Sequence, residues 1–166
     1  ELVWWGVPLM LGGIGLAAYM KPDWQSDLLA ITLGNTARLF ALGCLWQGVR
    51  VFQRRKPSVL ALVMICLVWV GLCSVPVFVH SMIARAIVAS AITALIAGLS
   101  AWELWRDRKE VLASRWPTLC TFVSFALINV ARIVMAPFAP FPMGAGPVDP
   151  MWLAIFMWVV FAHAAL

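Results

Sequence analysis

Two short motifs in this chain pair an asparagine with an arginine three residues later, Asn35-Thr36-Ala37-Arg38 and Asn129-Val130-Ala131-Arg132. Residues three apart share a helix face, so each motif sets an amide beside a guanidinium. The chemistry this suits is anion recognition. A guanidinium fork donates two parallel hydrogen bonds to a carboxylate or phosphate, and an amide can both donate and accept beside it. Arg85 is a third guanidinium within apolar sequence. Asn35, Arg38, Arg85, Asn129 and Arg132 are therefore the candidate ligand-binding residues. Thr118, Thr121, Asn129 and Arg132 also fall within an arc of roughly 80° at 100° per residue, which gives a helix there one polar stripe.

The elements that must position these groups are apolar spans. Of 166 residues, 64% are hydrophobic and 11% charged, and mean hydropathy is +0.96. A soluble domain of that composition would expose large apolar patches, so the sequence points to an integral membrane protein. A hydrocarbon core about 30 Å thick takes roughly 20 residues of helix to cross. On that criterion the sequence predicts an all-α, polytopic transmembrane helix bundle of six spans: Leu2 to Met20, Leu28 to Val51, Val59 to His80, Met82 to Trp105, Trp116 to Met135 and Met151 to Leu166. Pro8 and Pro76 lie within spans and are expected to kink them.

Charge sets the expected topology. The net charge is +5, but the basic residues fall in two short runs rather than on one face, which argues against nucleic acid. Arg50, Arg54, Arg55 and Lys56 flank one connector, and Arg106, Arg108, Lys109 and Arg115 flank another. The positive-inside rule makes both cytoplasmic, and six spans then put both ends of the chain on that side of the membrane. Trp4, Trp5, Trp46, Trp102, Trp105 and Trp116 would form the inner aromatic belt, with Trp24 and Trp152 in the outer one. With Glu1 first and an apolar run last, the chain reads as one domain, residues 1–166, excised from a longer polypeptide.

This frame places the polar groups at depth. At 1.5 Å per residue from the outer boundary, Asn35 and Arg38 lie about 10 and 15 Å in, and Asn129 and Arg132 about 10 and 5 Å in. The seven carboxylates, Glu1, Asp23, Asp27, Glu103, Asp107, Glu110 and Asp149, lie at span ends or in connectors. The arginines thus lack an internal counter-ion. An ionised side chain deep in a span costs on the order of 2.5–3.5 kcal/mol and normally faces protein or a wet cavity. Several readings follow. Asp27 or Asp149 folds inward, or carbonyls and water solvate the cluster, or an external anion completes an outward-opening cavity; otherwise Arg38 makes a structural hydrogen bond to a neighbouring helix while Arg85 and Arg132 snorkel outward.

Other chemistry is not signalled. Cys44, Cys66, Cys73 and Cys120 lie in apolar spans without metal-ligand spacing, and His80 and His163 fall on opposite sides of the midplane. Neither a metal nor a cofactor is called for. No nucleophile, base and oxyanion donor converge, so the chain does not read as an enzyme. Ala86, Ser90, Ala94 and Gly98 form a small-residue row suited to close helix packing, within the bundle or at a homodimer seam.

Several motifs carry a family resemblance. Lys21-Pro22-Asp23-Trp24, Leu33-Gly34-Asn35 and Leu45-Trp46-Gln47-Gly48-Val49-Arg50 precede a basic turn. Arg85-Ala86-Ile87-Val88 opens a span closing on Trp102-Glu103-Leu104-Trp105-Arg106, and Arg132 stands late in the next. This pattern resembles the multi-span membrane sensor region that precedes GGDEF-type diguanylate cyclase domains in bacteria. The resemblance implies seven spans, a cytoplasmic cyclase downstream, and a receptor that alters the pairing of cyclase domains. No Gly-Gly-Asp-Glu-Phe motif is present, so the cyclase itself is not in this chain. The partners expected are an anionic or amphipathic small molecule or lipid, the membrane, and a second copy. Two alternatives are a small anion transporter, suggested by the repeated motif, and a structural membrane anchor. Inverted symmetry would put the second motif near position 123, in the inner half, which counts against the transporter.

Overall fold

The computed structural model describes residues 28–106 and 115–138, together with residues 4, 6–8, 10, 11 and 13. Among the described residues the secondary structure is entirely helical. Five helices follow in order: α1 (Leu28–Phe52), α2 (Val59–Cys73), α3 (Pro76–His80), α4 (Met82–Arg106) and α5 (Arg115–Met135). Residues 4, 6–8, 10, 11 and 13 are helical as well.

Local chemistry fixes the breaks. At the end of α1 the Arg55 amide donates to Arg50 O at 2.8 Å and the Arg54 amide to Val51 O at 2.9 Å. This is a Schellman closure, and Arg54 takes its left-handed position with φ 56°, where glycine is the usual occupant. After Cys73, Pro76 forbids continuation. Residues before a proline are pushed out of the helical region, and Val75 is extended at φ −94°, ψ 114°. Ser81 then starts α4, its hydroxyl accepting from the Ala84 amide at 3.2 Å, as an N-cap does.

α4 is central, with α1 packed on one flank and α5 on the other. Arg38 meets Thr93 and Arg50 meets Glu103, so α1 and α4 run parallel. Trp105 stacks edge-on against Trp116, with centroids 6.2 Å apart, and α5 runs antiparallel to α4. α2 returns along α1, and Gly43 makes room for the Leu62 side chain, which abuts the place its Cβ would occupy. One core cluster joins Leu39, Trp69, Cys73, Phe78 and Ala89, with Trp69 edge-on to Phe78 at 5.6 Å. A second joins Val49, Ala101, Leu104 and Leu119.

The six-span count is corrected. Among the described residues two helices, Met82–Arg106 and Arg115–Met135, are both long and apolar enough to cross a membrane. The expected third span, Val59 to His80, is cut at Pro76, leaving a 15-residue helix of about 22 Å, too short for the hydrocarbon core. α1 is 25 residues long, but Asn35, Thr36, Arg38, Gln47 and Arg50 dilute its apolar character. The expected first span is described only in part, and Met151 to Leu166 lies outside the described residues, as do both chain ends. The multi-pass inner-membrane topology with both ends cytoplasmic rested on six spans, and it is withdrawn with that count.

Candidate functional site

Arg38 sits half-buried midway along α1. Its Nη2 donates to Thr93 Oγ1 across the α1–α4 interface at 3.3 Å, and its Nε is buried with no hydrogen-bond partner. Thr93 is fully buried and returns its own proton to Ala89 O at 2.7 Å. The guanidinium therefore meets a neutral oxygen that is already donating elsewhere. Among the described residues Glu103 is the one acidic side chain, and it is ten positions further along α4.

The other predicted residues gather around this level by register. The α1–α4 pairs, 38 with 93 and 50 with 103, put Asn35 about one turn from the Thr93 level toward the start of α4. The α4–α5 pairing of Trp105 with Trp116 puts Asn129 close to the Thr93 level and Arg132 about one turn beyond. Arg85 lies eight residues before Thr93, about 12 Å along the axis. The five groups thus occupy one half of the α1–α4–α5 layer, with Arg85 at its edge. Arg38 is the one whose bond to a neighbouring helix is described above. Asn35 bonds Ile31 O at 2.9 Å, and Asn129, which is buried, bonds Phe125 O at 2.8 Å. In each case the amide NH2 caps a carbonyl of its own helix. Arg85 and Arg132 are half-buried and engaged with their surroundings.

At the other end of the same helices lies an arrangement that sequence reasoning missed. The Glu103 side chain is 8% exposed, and its carboxylate receives Arg50 at 3.1 Å and Arg55 at 2.8 Å. The Arg50 contact has hydrogen-bond geometry. The Arg55 contact does not, although it is shorter, so it is a charge pair rather than an aligned bond. Arg50 also donates to Lys56 O and lies over the Trp46 ring at 5.4 Å. Gln47, fully buried, accepts from the Ser58 amide at 2.7 Å. This network fastens the basic turn to α4. One signal was available: a lone Glu at the apolar end of a span, opposite a run of arginines.

The small-residue row of α4 does not stay on one face. Four-residue steps advance 40° each, so three of them turn the row by about 120°. Ser90 is buried and Gly98 exposed, and a Cβ at Gly98 would meet nothing within 4 Å. Among the described residues Gly98 is therefore not at a close helix contact. It lies instead in an open groove of about 470 Å³ between α4 and α5, with Ala101, Trp102, Trp105, Val123 and Leu127 among its lining.

Comparison of the chain with protein-family models, curated proteins and solved structures finds no match. These comparisons lend no support to the expected resemblance to GGDEF-associated sensor regions.

Proposed function

We propose that this chain is a membrane-embedded sensory domain in which Arg38, with Asn35, Arg85, Asn129 and Arg132 around it, receives the acidic head of an anionic or amphipathic ligand. The observation that carries the reading is the electrostatic situation of Arg38. Its guanidinium is half-buried, its Nε is buried without a hydrogen-bond partner, and the oxygen it reaches belongs to neutral Thr93. Glu103, the carboxylate among the described residues, is bound to two other arginines. A half-buried cation with no carboxylate beside it among the described residues is costly, and an anion arriving there would form charge-assisted hydrogen bonds. The membrane setting is supported by α4 and α5. It is also supported by α2, whose Leu60, Met64 and Leu67 are at least half exposed, an apolar surface of the kind that lipid or a partner covers.

In the intact protein the domain would regulate a cytoplasmic diguanylate cyclase, as the motif resemblance implies, by changing how two copies pair. A ligand does this only through a difference in affinity for two helix arrangements. The Arg38–Thr93 bond favours a second reading, in which the pair is an interhelical clamp in a structural anchor.

Two variants separate these readings. Arg38→Ala removes both the anion site and the clamp, whereas Thr93→Val removes the clamp alone. With oleate as the probe, the sensor reading expects Arg38→Ala to lose binding by about tenfold or more while Thr93→Val retains it. If the native chain does not bind oleate above a neutral analogue, and both variants are destabilised alike, the clamp is the role.

A further inference from the structure

The groove between α4 and α5 lies outside the Arg38 site and combines features that belong together at a membrane boundary. Its floor is Gly98 and Ala101, whose small side chains leave a slot. Trp102 and Trp105 flank it on α4, and Val123 and Leu127 on α5. Trp102, Trp105 and Trp116 are exposed, although they are the costliest apolar groups to leave in water. Indole rings at one level of a spanning helix pair mark the boundary between hydrocarbon and headgroups. Arg106, exposed in the last turn of α4, stands at the same end. The stretch from 106 to 115 carries four basic residues against two acidic ones in sequence.

We infer that this groove is a binding site for an anionic glycerophospholipid, with an acyl chain on the Gly98–Ala101 floor and the phosphate beside Arg106. The volume falls within the range of about 300–1,000 Å³ usual for ligand sites. The lining is apolar where hydrocarbon would lie, and positive charge begins where hydrocarbon ends. Glu103 does not neutralise that charge, because Arg50 and Arg55 already hold its two oxygens. The same charge decides against a second copy as occupant. A copy in the same membrane orientation would bring its own Arg106 to the same level, and like charges would repel, whereas an anionic headgroup is attracted there.

The inference rests on the membrane setting proposed above but not on the Arg38 site. Its test is native mass spectrometry of the full chain in non-ionic detergent, with equimolar phosphatidylglycerol and phosphatidylcholine of identical acyl chains. The native chain is expected to retain phosphatidylglycerol over phosphatidylcholine by about fivefold, the ratio that one basic residue at a headgroup confers. Arg106→Gln, at the surface, is expected to bring the ratio close to one. Gly98→Leu puts a branched side chain into the slot, from a position where a Cβ meets nothing within 4 Å, and is expected to reduce retention of both lipids. Equal retention of the two lipids by the native chain overturns the inference, as does undiminished retention by Gly98→Leu. A native dimer that Gly98→Leu converts to monomer with lipid unchanged assigns the groove to a second copy instead. Loss of phosphatidylglycerol on Arg38→Ala but not on Gly98→Leu moves the headgroup to the Arg38 site, so the two readings fail separately.

Discussion

Replacing Glu103 by glutamine tests the strongest polar connection in the structure. The substitution keeps the shape and one acceptor for Arg50 but removes the charge that draws Arg50 and Arg55 together. Hydrogen bonds to charged groups contribute about 1.5–3 kcal/mol, and stripping one partner from a fully buried pair costs about 3–5 kcal/mol. Here the arginine side chains are 24% and 27% exposed. Both can turn partly to water, which lowers the loss to about 2 kcal/mol. For a chain of this length each kcal/mol moves the melting midpoint by about 2–4 °C, so a fall of about 4–8 °C is expected. Thermal melting in detergent measures it. A double-mutant cycle with Arg50→Met then isolates the pair, with a coupling of about 1–2 kcal/mol expected. A shift under about 1 °C, or a coupling below about 0.3 kcal/mol, would refute the claim that this carboxylate fastens the turn to α4.

Two further substitutions examine the packing of α1. Gly43→Ile would force a branched side chain against buried Leu62 and is expected to cost about 1–3 kcal/mol by melting, whereas a neutral result would mean that α1 and α2 separate easily. Arg54→Gly relieves the left-handed conformation at the end of α1. It is expected to stabilise by up to about 1 kcal/mol after the greater freedom of glycine in the unfolded chain is subtracted, and a loss of stability would show that the Arg54 side chain contributes more than its backbone costs.

Helix limits were largely legible because runs of apolar residues end at charge. Leu28 to Val51, Met82 to Trp105 and Trp116 to Met135 each differ from the observed helix by one residue at an end. The third expected span failed because hydropathy continues through Val75-Pro76-Val77 while the backbone does not. An apolar window senses transfer energy, and Pro76 acts on dihedral angles instead. The candidate site was legible in part. Its apolar flanks single out Arg38, which is half-buried, but its contact Thr93 is 55 positions away, and no local pattern distinguishes that residue from Thr118 or Thr121. Glu103 was placed among peripheral carboxylates because its burial depends on α1 lying parallel to α4. The row from Ala86 to Gly98 misled for a geometric reason: a four-residue step is longer than one turn, so only part of the row can face the same neighbour.

The two ties between α1 and α4 have a mechanical consequence. Arg38–Thr93 and Arg50–Glu103 are separated by twelve residues on α1 and ten on α4, about 15–18 Å along the axis. Sliding one helix past the other by a single turn would move each donor about 5.4 Å, beyond hydrogen-bond reach, and would break both ties together. Rotation of either helix about its own axis is opposed by the same two points. α1 and α4 therefore behave as one stiff strut, anchored at mid-length and at the basic end. α5 meets that strut along its most extensive helix contact, in which Leu119, Phe122 and the Trp105–Trp116 edge contact take part. A piston stroke of α1 along α4 is thus the motion that these two ties oppose.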